Sequence, residues 1–503
     1  MNVLEPNTPV IVGIGFHEEQ TEDPTECPEP YALMVRAVRN AAEDAGSAEL
    51  LARIESISVA QGLWQYRNPG RLIADALGCP SAKSVLSDLG VLQLTLLSDL
   101  CRAIAAGRQA IGVVTGGEAK LRALRSQVGG QPVADSRQSD ETPLPDVHLT
   151  SSDPFCSDLE AQRGLASPVE FFAIIESALR HHQGLGVEEH RDRIASLYSG
   201  FSDIAVANPH AWRREPLAAE EIRDPTPRNA MLAFPYTKRH CSQWNVNQAV
   251  AILVCSAARA QRLGLERGGW IYPLAAAESK HVVPLAQQRR LHSHPGTVLS
   301  GERALALAGV SVEEVTAADL YSCFPSAVQS FAHDLELEGV CPWTVTGAMP
   351  FAGGPFNHAS LTGVARMVEV LRTGGAKEAC ERRVGLVSNL SGIFGKQACA
   401  LFSDRPTDRG YGYEDVTAAV ARQDRPLPLD GDYAGAATIV GYTVVYGGGE
   451  ASHAVAICDT CNGDRTVVRA SDRTLLERMT REEFCGREVQ VLRDGSFSLA
   501  LKS

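Results

Sequence analysis

Thirteen cysteines and thirteen histidines are spread over 503 residues, and few of them are spaced for chemistry. Cys458-Asp-Thr-Cys461 has the gap of a zinc knuckle, but a tetrahedral site wants a second pair and only Cys485 is near in sequence. No metal centre is expected. His240-Cys241 would be a base and nucleophile if the side chains met, yet neighbours in a strand point to opposite faces. The glycines at 447–449 belong to a hairpin turn, because no Lys-Ser or Lys-Thr follows to make a phosphate loop. An odd number of cysteines scattered singly through a long chain makes no disulfide framework, so a reduced, cytoplasmic protein is expected.

Composition narrows the function classes. The chain is 44% hydrophobic and 21% charged, with a net charge of -13. An acidic chain lacks the clustered Lys and Arg that general nucleic-acid binding needs, although a local basic patch could hold one small anion. No run reaches the 18 apolar residues of a membrane span, and the first 16 residues lack the basic and apolar regions of a signal peptide.

The elements that must position any chemistry follow from period and punctuation. Residues 9–16, PVIVGIGF, read as a buried strand, and residues 30–45 as a helix with Pro30 near its start and Gly46 as its stop. A strand at 55–59, a Leu- and Ala-rich helix at 92–106 ended by Gly107, and a strand at 110–115 that breaks at Gly116-Gly117-Glu118 follow. The same order recurs as a helix at 361–372 stopped by Gly374-Gly375, a strand at 384–388 and a turn at Ser391-Gly392. Two such units suggest an internal duplication. Between them, residues 119–240 are rich in Pro, Asp, Ser and Arg but contain helical pieces such as 168–182, as an excursion over the active face would. After 404, alternating runs at 437–446, 453–458, 465–470, 488–492 and 497–501, with one helical piece around 474–483, indicate a small antiparallel β-barrel. The expected division is an N-terminal half (1–265, including the excursion), a second half (266–404), a linker (405–435) and the barrel (436–503).

With these elements in place, the chain resembles the thiolase superfamily, most of all the sterol-carrier-protein thiolase branch and its thiolase-like proteins of type 1. The resemblance rests on seven segments in order. They are PVIVGIGF, the run from Gly90 to Glu118 ending IAAGRQAIGVVTGGE, VANPHAW at 206–212, NVNQAVAIL at 245–253, YSCF at 321–324, GGPFNHAS at 353–360 and LVSNLSGIFG at 386–395. It implies a five-layered α/β/α/β/α fold made from two similar halves, with an appended β domain like that of the type 1 proteins. Superfamily members pair through the strand after the nucleophile helix, here 110–115, so a homodimer or a partner enzyme is also implied.

The resemblance assigns roles residue by residue. A thiolase attacks an acyl-CoA thioester with a cysteine activated at a helix N-terminus, and moves a proton with a second cysteine and a histidine. Counting back from Gly107 by the family's helix length places the nucleophile position at Gly90, and glycine cannot form an acyl-enzyme. Tyr321 takes the position that orients a catalytic water, where its phenol can donate to an oxyanion. Cys323 is either a relocated nucleophile or a small buried filler. His358 takes the family's histidine position ahead of a helix, where an imidazole should be neutral; the alternative is a capping or structural role. Asn357 beside it and Ser391-Gly392, where the acid/base cysteine would be, complete the expected substrate contacts. No cofactor is implied beyond a CoA thioester as ligand.

Two functions follow from this pattern. One is a thiolase-like protein that performs acyl transfer or carbon–carbon chemistry on an acyl-CoA without the usual cysteine; the other is a non-catalytic acyl-CoA-binding or regulatory subunit. Fold similarity cannot choose between them.

Overall fold

In the computed structural model, which describes residues 4–374 and 382–499, the first half contributes eight strands. They are β1 (Pro9–Glu18), β2 (Ser56–Ala60), β3 (Lys83–Ser87), β4 (Ile111–Ala119), β5 (Val147–Leu149), β6 (Met231–Ala233), β7 (Tyr236–Thr237) and β8 (Asn247–Ser256). Six of these build one sheet in the order β1-β8-β4-β2-β3-β5. β8 is antiparallel to β1 and β4, while β4, β2, β3 and β5 run parallel. Alternation decides the faces. On β8, Ala249, Ala251, Leu253 and Cys255 pack towards the helix Pro30–Asp44, and Val250, Ile252 and Val254 pack the other way. Burial on both faces explains the uninterrupted apolar runs.

The second half forms β9 (Tyr272–Ser279), β10 (Ala317–Asp319), β11 (Val384–Ser391), β12 (Lys396–Ser403) and β13 (Gly412–Asp415), in the order β10-β11-β12-β9-β13. Along β9-β12-β11-β10 the pairings are antiparallel, antiparallel and parallel, as they are along β1-β8-β4-β2. A helix precedes the third strand of each series: Gln93–Ala105 before β4 and Ala359–Thr373 before β11. The duplication is therefore visible in the topology. These two helices share one apolar cluster with the inner faces of both sheets, while Pro30–Asp44 and Pro295–Ala308 cover the outer faces. The five layers are α/β/α/β/α.

Three expectations change here. β4 does not break at its glycines but runs on to Ala119, because a Cβ at Gly116 would lie 2.4 Å from His358 Cβ and one at Gly117 2.6 Å from Met34 Cγ. The pair admits close neighbours on both faces. Residues 110–115 offer no edge to a second copy, since β4 is hydrogen-bonded on both sides by β8 and β2. Within the segment expected as a linker, β13 adds a parallel edge to β9, and the helix Thr417–Gln423 follows it.

The C-terminal sheet comprises β14 (Gly435–Gly447), β15 (Glu450–Thr460), β16 (Arg465–Ala470), β17 (Glu488–Val491) and β18 (Phe497–Leu499), ordered β16-β15-β14-β17-β18. The turn between β14 and β15 places Gly448 and Gly449 at φ of 62° and 91°, as a tight hairpin requires. Among the described residues the sheet curls without closing into the expected barrel: β16 meets the residue before β18 at one isolated bridge, Arg469 to Ser496, where Arg469 N–H donates to Gly495 O at 2.9 Å. Gly375 and the end of the run expected to reach residue 501 lie outside the described residues. β6, from the excursion, pairs with β14 and joins this sheet. The excursion helix Pro168–His182 packs Phe171, Phe172, Ile174 and Ile175 against Val455, Ile457 and Val467. Buried Arg180 on that helix donates to both carboxylate oxygens of Glu483 and to Tyr442 Oη. No helix among the described residues is long and apolar enough to cross a membrane.

Candidate functional site

Four segments meet at the N-terminal ends of the two inner helices. Ser360 N–H, in the first turn of Ala359–Thr373, donates to Gln93 Oε1 at 2.7 Å. Leu94 N–H, in the first turn of Gln93–Ala105, donates to Asn389 Oδ1 at 3.1 Å. Ser360 O–H donates to Ser388 O at 3.2 Å, and Tyr321 N–H to Ser388 Oγ at 2.8 Å. Neither helix has a side-chain bond from its own N-cap residue, so each end is satisfied by a residue hundreds of positions away.

Gln93, Ser360, Ser388 and Asn389 are all buried, and none was singled out by motif. Their signal in the sequence is a polar side chain inside an apolar pattern, as in LQLTLL and LVSNLS. The residues chosen instead, Ser391 and Gly392, lie past the convergence: Ser391 pairs with Lys396, and Gly392, at φ of 75°, opens the turn between β11 and β12.

Two cavities flank this convergence. A narrow pocket of about 10 Å3 is lined by Asp319, Tyr321, Ser322, Ser360 and Ser388, among others. A larger cavity of about 240 Å3 lies beside the start of Gln93–Ala105, with Val91, Leu92, Thr95, His148, Lys280 and Lys396 in its wall. Lys396 is buried and its ammonium is engaged: Nζ donates to Gly90 O at 2.9 Å and Ser151 Oγ at 2.7 Å, and lies 2.6 Å from Asp153 Oδ2.

The remaining candidates fall into place around the pockets. Gly90 sits at φ of 94°, ahead of the helix rather than in its first turn, with Ser151 covering it: a Cβ there would lie 3.0 Å from Ser151 Oγ. Tyr321 lies between β10 and the helix Pro325–Asp334, and burial pushes its phenol pKa up. Cys323 packs with Phe172, Phe324 and Cys241 and lines neither cavity, and burial pushes its thiol pKa up.

His358 is the N-cap residue of Ala359–Thr373 and packs on Gly116. Its pKa is pushed down to about 3 by burial, and Nε2 has no partner among the described residues. Asn357 is also buried, with Nδ2 unpartnered among those residues; neither side chain lines the narrow pocket, although Ala359 and Ser360 do. His240 and Cys241 are not on a strand, as assumed, but end a short 3-10 helix, Lys238–His240; each bonds to Thr237 instead of to the other. Cys458 is buried in β15 while Cys461 is exposed and bonds to Tyr433 and Asn462.

The arrangement of halves, layers and appended sheet is shared with a solved structure, that of a monomeric SCP2-thiolase like protein type 1 from Mycobacterium smegmatis. The TM-score is 0.80, with 24% identity, over 99% of this chain and 100% of that one. The chain has the thiolase fold. An Ltp2-ChsH2(DUF35) aldolase is similar over 80% of this chain and 99% of its own, at a TM-score of 0.59 and 18% identity. The Acat5 thiolase from Ascaris suum in complex with coenzyme A is similar over 78% of this chain and 99% of its own, at 0.53 and 16%. No protein-family model and no curated protein matches the sequence.

On this thiolase fold, acetoacetyl-CoA thiolysis should stay at background. Gly90 carries no thiol, and the described cysteines line neither cavity. Cys323→Ala should leave that background unchanged. Thiolysis that Cys323→Ala abolishes would show instead that Cys323 is the nucleophile.

Proposed function

We propose that the protein acts on an acyl-CoA thioester by acyl transfer or carbon–carbon chemistry without a cysteine nucleophile. The observation that carries this reading is Tyr321: a phenol whose pKa burial raises further, on a pocket wall where all four segments converge. Such a group can donate to a carbonyl oxygen as negative charge develops on it. Neutral His358 stands one residue before that wall and is the second group available to the reaction. Coenzyme A bound to one similar solved thiolase and a similar solved aldolase support the substrate class and the carbon–carbon option respectively. Cysteines scattered singly through the chain support a reducing, cytoplasmic setting for it.

Incubation with a panel of acyl-CoAs, followed by intact mass and free CoA, tests the reading. The acyl-CoA should be consumed, by release of CoA or by a change in the mass of its acyl chain, with no covalent adduct on the protein, and Tyr321→Phe should slow consumption about 10²–10³-fold, as loss of one oxyanion donor does. A stable acyl adduct on the protein would overturn it. Binding without consumption would assign the non-catalytic, acyl-CoA-binding role.

A further inference from the structure

The narrow pocket contains a carboxylate that none of the motifs pointed to. Asp319 ends β10, two residues before Tyr321, and lines the pocket. Every donor that reaches it converges on one oxygen: Thr344 O–H (2.9 Å), Val345 N–H (3.0 Å), Thr346 N–H (3.1 Å) and Thr346 O–H (2.9 Å) all bond to Oδ1. None of these four bonds goes to Oδ2. Room for Oδ2 is made by Gly363, where a Cβ would lie 2.4 Å from it. That glycine is inside the helix Ala359–Thr373, a place where alanine is the better helix former, so its cost to the helix is matched by room for a carboxylate oxygen.

The space left over is small. About 10 Å3 is close to the roughly 10–15 Å3 that one water molecule needs, and water also needs several polar partners. Ser360, Ser388, Tyr321 and Asp319 bring them. Burial raises the Asp319 pKa in spite of its four hydrogen bonds, as suits a group that must accept a proton and return it.

We propose that this pocket holds the attacking water of an acyl-CoA thioester hydrolysis, with Asp319 as its general base. This rests on the acyl-CoA reading above and narrows acyl transfer to transfer onto water. The water oxygen bonds to the thioester carbonyl carbon while Asp319 Oδ2 takes one of its protons. The carbonyl π pair moves onto oxygen, which the Tyr321 hydroxyl stabilises. When the tetrahedral intermediate collapses, the C–S bond breaks and the proton on Asp319 passes to sulfur, leaving a carboxylic acid and free CoA thiol.

The rate should rise with pH as Asp319 deprotonates. Among the residues lining the pocket Tyr321 carries the other titratable group, and the elements packed on Asp319 bring Thr344, Thr346, Val387 and Gly363.

The test follows thiol release from acetyl-CoA and longer acyl-CoAs in heavy-oxygen water. Label should enter the acid. Asp319→Asn keeps the Oδ1 acceptor and should bind thioester, but hydrolyse it about 10²–10⁴-fold more slowly and lose the acid limb of the pH profile. Gly363→Ala, whose methyl occupies the space of Oδ2, should also slow hydrolysis; it remains decisive if Asp319→Asn does not fold. A folded variant at the wild-type rate, or CoA released without label in the acid, overturns the proposal and leaves the acyl-CoA reading standing. So does carbon–carbon cleavage with the thioester intact. An acyl-CoA panel that is neither bound nor consumed overturns both.

Discussion

Replacing Glu176 with alanine should destabilise the protein by about 4 kcal/mol or more, since three buried groups lose an acceptor at roughly 1–3 kcal/mol each. Glu176 and His190 are fully buried, and His190 Nε2 lies 2.6 Å from Glu176 Oε1. Gln329 Nε2 donates to the same oxygen at 2.9 Å, and Tyr236 Oη donates to Oε2. Tyr236 Oη in turn accepts from Ser326 N–H at 3.2 Å, in the first turn of the helix that follows Tyr321 and Cys323. The carboxylate therefore ties the excursion to the segment that carries Tyr321. Urea unfolding of the two proteins measures the difference; Glu176→Gln, which keeps one acceptor, should cost less. A loss under about 1 kcal/mol for the alanine variant would mean that the cluster relaxes or admits water.

Acidification should destabilise the fold steeply between pH 6.5 and 5. Burial holds His240, His294 and His358 at pKa values of about 3, in each case as the largest cause. The ordinary imidazole titrates near pH 6.5, so below that pH the unfolded chain binds protons that the folded chain refuses. Their contribution is intact above pH 6.5 and is lost as pH falls towards 3. Each costs about 1.4 kcal/mol per pH unit, hence about 4 kcal/mol for the three at one unit below. Buried carboxyls work in the opposite direction: Asp334, pushed up to about 6 by burial, takes up its proton in the folded state first. That uptake offsets part of the loss. His358→Asn separates the terms, because asparagine also suits an N-cap position. It should flatten the dependence of stability on pH by about one proton between pH 6 and 5, and an unchanged slope would show that His358 titrates normally when folded.

Much of the architecture was readable from residue order alone. Helical spacing ended by Gly46 and Gly107 matches the helices Pro30–Asp44 and Gln93–Ala105, because glycine stops a helix through its own backbone and needs no neighbour. The recurrence of helix, glycine and strand pointed to two halves whose pairings do repeat. Gly90 was placed by counting back from Gly107 with the family's helix length, and Tyr321 by the likeness of YSCF to a family loop.

Partners far apart in the chain could not be read in this way. Period-2 alternation says that residues on β4 face alternate sides, but not that His358 lies against Gly116, and so the glycine pair looked like an end. The polar residues Gln93 and Asn389 meet Ser360 and Leu94 across 267 and 295 positions, a pairing that no local pattern marks. Asp319 belongs to no motif; its surroundings come from four donors at 344–346 and from the missing side chain at Gly363. Local propensity acts within a few residues. The hydrogen bonds and close contacts that make this site join segments whose approach is decided by packing two sheets on a shared pair of helices, and no spacing in the chain encodes that distance.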